Sequence, residues 1–118
     1  MSTPLSIQDV ERLLADGSPH ARAATAAKVA NLVDLPDLSA DQRRELEGVM
    51  RIFARDAALM VRAALAEQLK STPHLPVDVA QTLARDADEV AAPILENSQV
   101  LSDDFLVEIV GDRKSTRL

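Results

Sequence analysis

The sequence predicts an all-α fold of stacked helical hairpins, and three observations support this class. An Asp followed six residues later by Arg-Ala-Ala occurs at Asp56 and Arg62, and it also occurs forty residues earlier at Asp16 and Arg22. Self-similarity at such a period is typical of helical-hairpin repeats. The 118-residue chain has three glycines and is rich in Ala, Leu, Arg and Glu, which favour helix. The sequence has no alternating run of β-branched residues that would indicate a strand.

The first unit is predicted to contain two helices separated at Gly17. Ser6 is a suitable N-cap for a first helix over 7–15, which Gly17 ends. Ser18 and Pro19 then begin a second helix, because Ser caps a helix start and Pro is favoured in the first turn. At helical spacing, the core face of this second helix is expected to carry Ala21, Thr25, Val29 and Leu32.

The second unit follows a loop over 34–38, where Pro36 prevents a continuous helix. Ser39 and Gln42 form a capping box that begins a third helix. Asp56 is expected to cap a fourth helix. The residues expected to face the core from these two helices are Leu46, Val49, Met50 and Phe53, followed by Val61, Leu65 and Leu69.

The third unit follows a loop over 71–76, and Pro76 is expected to open its first helix, the fifth overall. Val79, Ala80 and Leu83 should face inward from that helix. A sixth helix is expected near Asp88 to Asn97, short or kinked because Pro93 lacks an amide hydrogen. Ser102 should cap a seventh helix that ends at Gly111. The chain is thus predicted to be one domain with repeats over about 6–33, 39–70 and 77–98 and an incomplete fourth over 102–118.

The step from Asp56 to Arg62 with Ala63 and Ala64 resembles the second helix of HEAT repeats, which form right-handed α-α superhelices. The resemblance implies a short HEAT-like solenoid of about seven helices. It also implies a hydrogen-bonded ladder between neighbouring repeats, formed here by Asp16, Arg22, Asp56 and Arg62. A shift of thirty residues aligns Ile94-Leu95 with Ala64-Leu65. The same shift places Ala92 at the position of Arg62. The ladder is therefore expected to break after the second repeat.

The segment over 83–110 is similar to an alphaproteobacterial family of HEAT-like proteins that is known as a domain of unknown function. The similarity lies in Leu83-Ala84-Arg85-Asp86 and in the runs over 89–95, 100–103 and 106–110. Members of that family are longer, so the resemblance implies that this chain is the N-terminal part of a larger protein. It supplies no activity and no functional residues.

Composition excludes several classes of function. Residues 71–112 carry nine acidic side chains against the single base Arg85, which repels phosphate backbones. The absence of cysteine excludes disulfides, thiolate metal sites and cysteine nucleophiles. Neither a secretory signal nor an apolar run of about 18 residues is visible. We therefore expect a cytoplasmic protein that has no cofactor and does not bind membranes or nucleic acid.

Each candidate site also has a structural interpretation. Arg22 and Arg62 with Asp16 and Asp56 could form a binding row, but a structural ladder is favoured. His20 and His74 could be metal ligands or a base, but neither has further ligands at suitable spacing, so solvated side chains are favoured. A basic stripe on the third helix is interpreted as a solvated face: Arg43, Arg44, Arg51 and Arg55. An acidic cluster at the start of the sixth helix is interpreted as a complement to the helix dipole: Asp86, Asp88 and Glu89.

The favoured function is a non-catalytic module that binds a protein or peptide. Solenoids present extended surfaces, and the candidate contacts on this one are Arg22, Lys28, Arg62 and Gln68. A second hypothesis is a structural or dimerising segment of a larger solenoid, with homodimerisation through the helix over 102–110. Its apolar residues either fold back on the preceding helices or await a partner: Phe105, Leu106, Ile109 and Val110. A third hypothesis, nucleic-acid binding, is disfavoured by the pI of about 4.8 and the absence of Trp and Tyr for base stacking.

Overall fold

Six α-helices and no strand make up the part of the chain that the structure describes. The structure is a computed structural model that describes residues 17–116, with side chains through residue 111. In chain order the helices are α1 (Pro19–Leu32), α2 (Ala40–Phe53), α3 (Leu59–Leu69), α4 (Val77–Ala84), α5 (Asp88–Asn97) and α6 (Asp103–Thr116). The predicted all-α class is therefore confirmed. The first helix predicted, over 7–15, lies outside the described residues, as does Asp16.

Alternate helices pack on one another in a row. α3 lies between α1 and α5 and contacts both. α2 packs against α1 and α3, whereas α4 packs against α5. We call α1, α3 and α5 the central row. The fold measures 51 × 31 × 17 Å along its principal axes, so it is elongated and thin. Length and hydropathy rule out a membrane span for every described helix.

Three helix starts follow from capping side chains, as predicted. The Ser18 hydroxyl accepts a hydrogen bond from the Ala21 amide, with Pro19 in the first turn of α1. Ser39 and Gln42 form the reciprocal capping box of α2. The Ser102 hydroxyl accepts a hydrogen bond from the Phe105 amide at the start of α6. These side chains satisfy amide groups that the first turn of a helix leaves without a partner.

Other predicted helix ends were wrong. Asp56 does not occupy the N-cap of α3, because that position belongs to Ala58, whose amide donates to the Asp56 carboxylate. Pro76, by contrast, opens α4 as predicted and stands at its N-cap. Gly111 does not end α6, which continues through Thr116. Gly111 does not adopt the positive φ of a helix-terminating glycine, so the helical backbone passes through it.

The core lies where α3 meets its neighbours, and most predicted core residues are found there. Val61, Leu65 and Leu69 of α3 are fully buried. The residues predicted for the core faces of α2 and α4 are also buried: Val49, Met50 and Phe53, then Val79, Ala80 and Leu83. The exception is Leu46 of α2, which is half-buried. In α1 the prediction was only half right, because Ala21 is exposed and Leu32 half-buried. Packing against α3 instead selects the face with Thr25, Ala26, Val29 and Ala30.

The third unit is shifted by one residue from the predicted alignment. Val90 and Ile94 are fully buried, whereas Leu95 is half-buried. The buried pair follows Val61 and Leu65 by 29 residues rather than 30. The reason is the turn length: α3 begins at residue 59, three residues after Asp56, whereas α5 begins at residue 88, two residues after Asp86. By helix register, the equivalent of Arg62 is therefore Ala91 and not Ala92.

The last helix folds back on the preceding ones through one face. Phe105 and Ile109 of α6 are buried and belong to the same apolar cluster as the central row. The Arg85 guanidinium lies 5.0 Å from the centre of the Phe105 ring, within cation–π range. Of the two alternatives raised by the sequence, folding back on the preceding helices or awaiting a partner, Phe105 and Ile109 therefore follow the first. The opposite face of α6 stays in solvent, with Val107 74% exposed and Val110 48% exposed.

Candidate functional site

A bidentate ion pair joins α1 to the segment that precedes α3. The Arg22 Nε donates to Asp56 Oδ2 at 2.9 Å, and its Nη2 donates to Asp56 Oδ1 at 3.1 Å. The third guanidinium nitrogen, Nη1, donates to the Gly17 carbonyl at 2.7 Å. The two charged side chains are only 17% and 5% exposed. Arg22 therefore bridges the turn at the start of its own helix and the turn of the next unit.

The same arrangement recurs one unit later. Arg62 donates through Nε and Nη2 to the Asp86 carboxylate at 2.7 and 3.2 Å. Its Nη1 donates to the Asp56 carbonyl at 2.7 Å. The side chains are 20% and 15% exposed. Asp56 thus takes part in both pairs, through its carboxylate in the first and its carbonyl in the second. We call these two pairs the ladder.

The ladder keeps its carboxylates ionised despite their burial. Burial acts to raise the pKa of Asp56, but hydrogen bonds from Arg22 and the Ala58 amide, with the charges of Arg22 and Arg62, bring it below its ordinary value. For Asp86, burial again acts to raise the pKa, and the hydrogen bonds from Arg62 and the Ala87 amide outweigh it. Both carboxylates are therefore charged at neutral pH and matched by a nearby guanidinium.

Two further contacts between units were not predicted from the sequence. Arg51 of α2 donates to the Asp78 carboxylate of α4 at 2.7 and 3.2 Å, with both side chains largely exposed. The buried Thr72 hydroxyl donates to the Asp34 carboxylate and accepts from the His74 amide at 3.1 Å, which ties the two long loops together. Asp34 and Thr72 stand 38 residues apart in the sequence, and no local pattern indicates their contact.

The predicted partner-binding residues divide into two kinds. Arg22 and Arg62 are largely covered, and their guanidinium groups are occupied in the ladder. Lys28 and Gln68 are exposed and stand at equivalent positions, six residues after the ladder arginine of each unit. In the register of α5 the equivalent residue is Asn97, which follows Gln68 by 29 residues and is also exposed. We call Lys28, Gln68 and Asn97 the polar row.

Small side chains lie one helical turn before the polar row. Ala24, Ala64 and Pro93 each precede a member of it by four residues, which places them on the same helix face. Ala24 is exposed and the other two are half-buried. We call these three residues the small row. Together the two rows place small and polar side chains at equivalent positions of α1, α3 and α5, which we call the outer face of the central row.

The remaining candidates have surface roles. His20 and His74 are both exposed. Among the described residues, no group of three or more His, Cys, Asp or Glu side chains could hold a metal ion. On α2, Arg43 donates to the Val33 carbonyl at 2.9 Å and Arg44 pairs with Asp41 at 3.3 Å. With Arg51 bound to α4, most of the predicted basic stripe is engaged within the chain.

Comparison with known proteins gives no further identification. No family model, curated protein or solved structure matches the chain. The resemblance to HEAT repeats therefore rests on the residues that carry it.

Proposed function

We propose that the protein is a non-catalytic, HEAT-like interaction module that binds a protein or peptide along the outer face of the central row. The observation that supports this role is the polar row: Lys28, Gln68 and Asn97 are exposed at one register position on three consecutive stacked helices. Helical repeats present extended binding surfaces of this kind. The chain needs no cofactor for this role, and its lack of cysteine suits the reducing cytoplasm.

The ladder supports the proposal because it fixes the binding face before a partner arrives. Each guanidinium makes three hydrogen bonds that join two successive turns, so the spacing of α1, α3 and α5 is held by charge pairs as well as by packing. A surface that is already ordered loses less conformational entropy on binding. We further propose that this stacking continues the right-handed superhelix expected of the family.

The distribution of charge favours a protein partner over nucleic acid. The two repeated arginines, Arg22 and Arg62, are neutralised by carboxylates and cannot also bind phosphates without losing those pairs. The α5 end of the face carries the exposed Glu89 and Glu96, which would repel a phosphate backbone. The partner we expect is a polypeptide with a basic segment at this end and polar side chains facing Lys28.

The experiment compares variants of the polar row with a matched surface control. Lys28→Glu with Gln68→Glu changes the face without touching the ladder. Arg44→Glu reverses another exposed charge, on α2 and not on the central row, and serves as the control. Arg22 and Arg62 are unsuitable for this purpose, because their substitution would disturb the stacking itself.

Tagged wild-type and variant chains are used to capture proteins from native extract, and the captured protein is then purified and titrated calorimetrically. We expect the control to bind as the wild type does and the double variant to bind at least tenfold more weakly. Equal affinity of all three chains for the purified partner would refute the proposed face. Capture with no binding in the purified titration would refute a direct interaction.

A further inference from the structure

The charge of the outer face changes sign from α1 to α5. α1 has no acidic side chain, and its exposed Lys28 forms no ion pair with a described residue. On α3, Glu67 is neutralised by Lys70. α5 has no basic side chain, and its exposed Glu89 and Glu96 form no ion pair within the described part of the chain. A ligand that crosses the three helices therefore meets a positive, a neutral and a negative region in that order.

The polar row supplies hydrogen-bond donors on each of these helices. The Lys28 ammonium has three N–H groups, and the Gln68 amide has two. Asn97 donates to the Pro93 carbonyl at 2.9 Å, which leaves a second amide hydrogen for another acceptor. Packed helices lie about 8–10 Å apart, so the donors of the row recur at about that interval. The row is therefore suited to a ligand with acceptors at the same interval.

This interval matches the repeat of a peptide in the polyproline II conformation. Such a peptide has three residues per turn and presents the same side about every 9 Å, and its carbonyls have no internal partner. A β-strand presents the same side about every 7 Å, which does not match. An α-helical ligand needs apolar anchors along a groove. On α1, α3 and α5 the exposed large apolar side chains are Leu59 and Met60, both at the start of α3.

Given the proposed function, on which this depends, we propose that the segment bound on the outer face is a proline-rich peptide in the polyproline II conformation. Its acidic side chain pairs with Lys28, and a basic side chain six residues away lies between Glu89 and Glu96. Two helix spacings amount to about 16–20 Å, and six residues of this conformation span about 19 Å. Six residues are also two full turns, so both charged side chains face the protein.

Capped synthetic peptides test the conformation and the spacing. The probes are Glu-Pro-Pro-Pro-Pro-Pro-Lys and its reverse, which cover both chain directions. They are titrated into the isotope-labelled chain to about 5 mM, because so short a peptide binds weakly. At least one probe should give saturable shifts of the backbone amide resonances around Lys28, Gln68 and Asn97. No saturable shift, or shifts confined to α2, α4 and α6, would overturn the proposal.

Two control peptides separate this ligand from any peptide that carries both charges. Removing one proline shortens the probe by about 3 Å and turns one charge a third of a turn away from the other. Replacing the five prolines by alternating Gly and Ser keeps the length and removes the preformed conformation. Each control should bind at least threefold more weakly than the better probe. Equal binding of the shortened peptide would refute the spacing, and equal binding of the Gly-Ser peptide would refute the conformation.

A charge reversal tests the orientation on the face. Lys28→Glu should weaken binding of the better probe about fivefold, because an attractive exposed pair becomes repulsive. The same variant should bind Lys-Pro-Pro-Pro-Pro-Pro-Lys more tightly than the wild type does. Arg44→Glu is the control and should bind every peptide as the wild type does, and circular dichroism should show the same helix content in both variants. A Lys28→Glu variant that binds both peptides as the wild type does would overturn the placement.

Failure of this proposal is distinguishable from failure of the proposed function. If a captured partner binds through the polar row but none of the peptides binds, the proline-rich ligand is refuted and the binding face stands. If neither a captured partner nor a peptide responds to Lys28→Glu with Gln68→Glu, the binding face is refuted as well.

Discussion

Replacing Arg62 by alanine should destabilise the fold far more than replacing Arg51, although the two ion pairs have nearly the same geometry. Both arginines bind a carboxylate in bidentate fashion at 2.7 and 3.2 Å. They differ in exposure: Arg62 and Asp86 are 20% and 15% exposed, whereas Arg51 and Asp78 are 47% and 60% exposed. Arg62 also donates to the Asp56 carbonyl. The comparison therefore tests the combined effect of burial and of this third hydrogen bond on two otherwise similar bidentate pairs.

The expected magnitudes follow from what each substitution leaves behind. Arg62→Ala removes the guanidinium that binds the largely buried Asp86, and breaking a fully buried pair costs roughly 3–5 kcal/mol. Some solvent access remains, so we expect about 2–3 kcal/mol. Arg51→Ala removes an exposed pair worth roughly 0.2–1 kcal/mol, because water and salt screen it. The larger loss should lower the urea midpoint by about 1–2 M at an unchanged slope.

The assay is urea unfolding followed by circular dichroism, with double-mutant cycles as a check. The cycle of Arg62→Ala with Asp86→Ala should give a coupling energy of about 1.5–2 kcal/mol. The cycle of Arg51→Ala with Asp78→Ala should give about 0.5 kcal/mol or less. Equal losses of stability in the two single variants would refute the reasoning, since geometry rather than burial would then set the strength of these pairs.

Three further predictions concern acidity, the loops and the core. The pKa values of Asp56 and Asp86 are lowered in the folded state, so the stability that they contribute is complete above the unfolded pKa of about 4 and is lost as pH falls through the folded values. When the urea midpoint is measured against pH, Asp56→Asn and Asp86→Asn should each flatten its decline below about pH 4. An unchanged slope would count against the ladder as the source of that decline. Thr72→Val should cost about 1–2 kcal/mol, because it leaves the loop–loop contact without its hydroxyl; a cost near zero in urea unfolding would show that the contact is not stabilising. Phe53→Asp should abolish cooperative thermal unfolding, because Phe53 is fully buried. Ile52→Asp should leave unfolding cooperative, because the neighbouring Ile52 is 47% exposed. Unchanged melting of the Phe53→Asp variant would contradict the packing.

The elements that local chemistry specifies could be predicted from the sequence. The start of α2 follows from Ser39 and Gln42, whose side chains each bond to the other's backbone amide, and its inner face follows from the spacing of Val49, Met50 and Phe53. Both signals act within a few residues, so no knowledge of the rest of the fold is needed. The sequence also identified Arg22 and Arg62 as a repeated pattern with Asp16 and Asp56, but it assigned Asp86, the partner of Arg62, to a helix dipole instead.

The parts that tertiary contacts decide could not be predicted. The α5 register depends on a turn that is one residue shorter than the equivalent turn before α3, and both turns contain Asp-Ala. No local signal distinguishes Ala91 from Ala92 as the residue that follows the register of Arg62. The end of α6 was misjudged for a related reason, since glycine terminates a helix only where its backbone adopts positive φ, and Gly111 does not.

The ladder also changes where recognition should be sought in this chain. A charged residue that repeats together with its partner, as Arg22 and Arg62 do with Asp56 and Asp86, satisfies itself within the stack and offers little to another molecule. The polar row, six residues further along, is exposed instead, and within it Asn97 donates a hydrogen bond to the Pro93 carbonyl of its own helix. Lys28, Gln68 and Asn97 share one register position but differ in chemistry, as expected if stacking requires only that this position be polar. The sequence repeat therefore marks the scaffold, and under the proposed function specificity for a partner is expected at the exposed positions where the repeat is not kept.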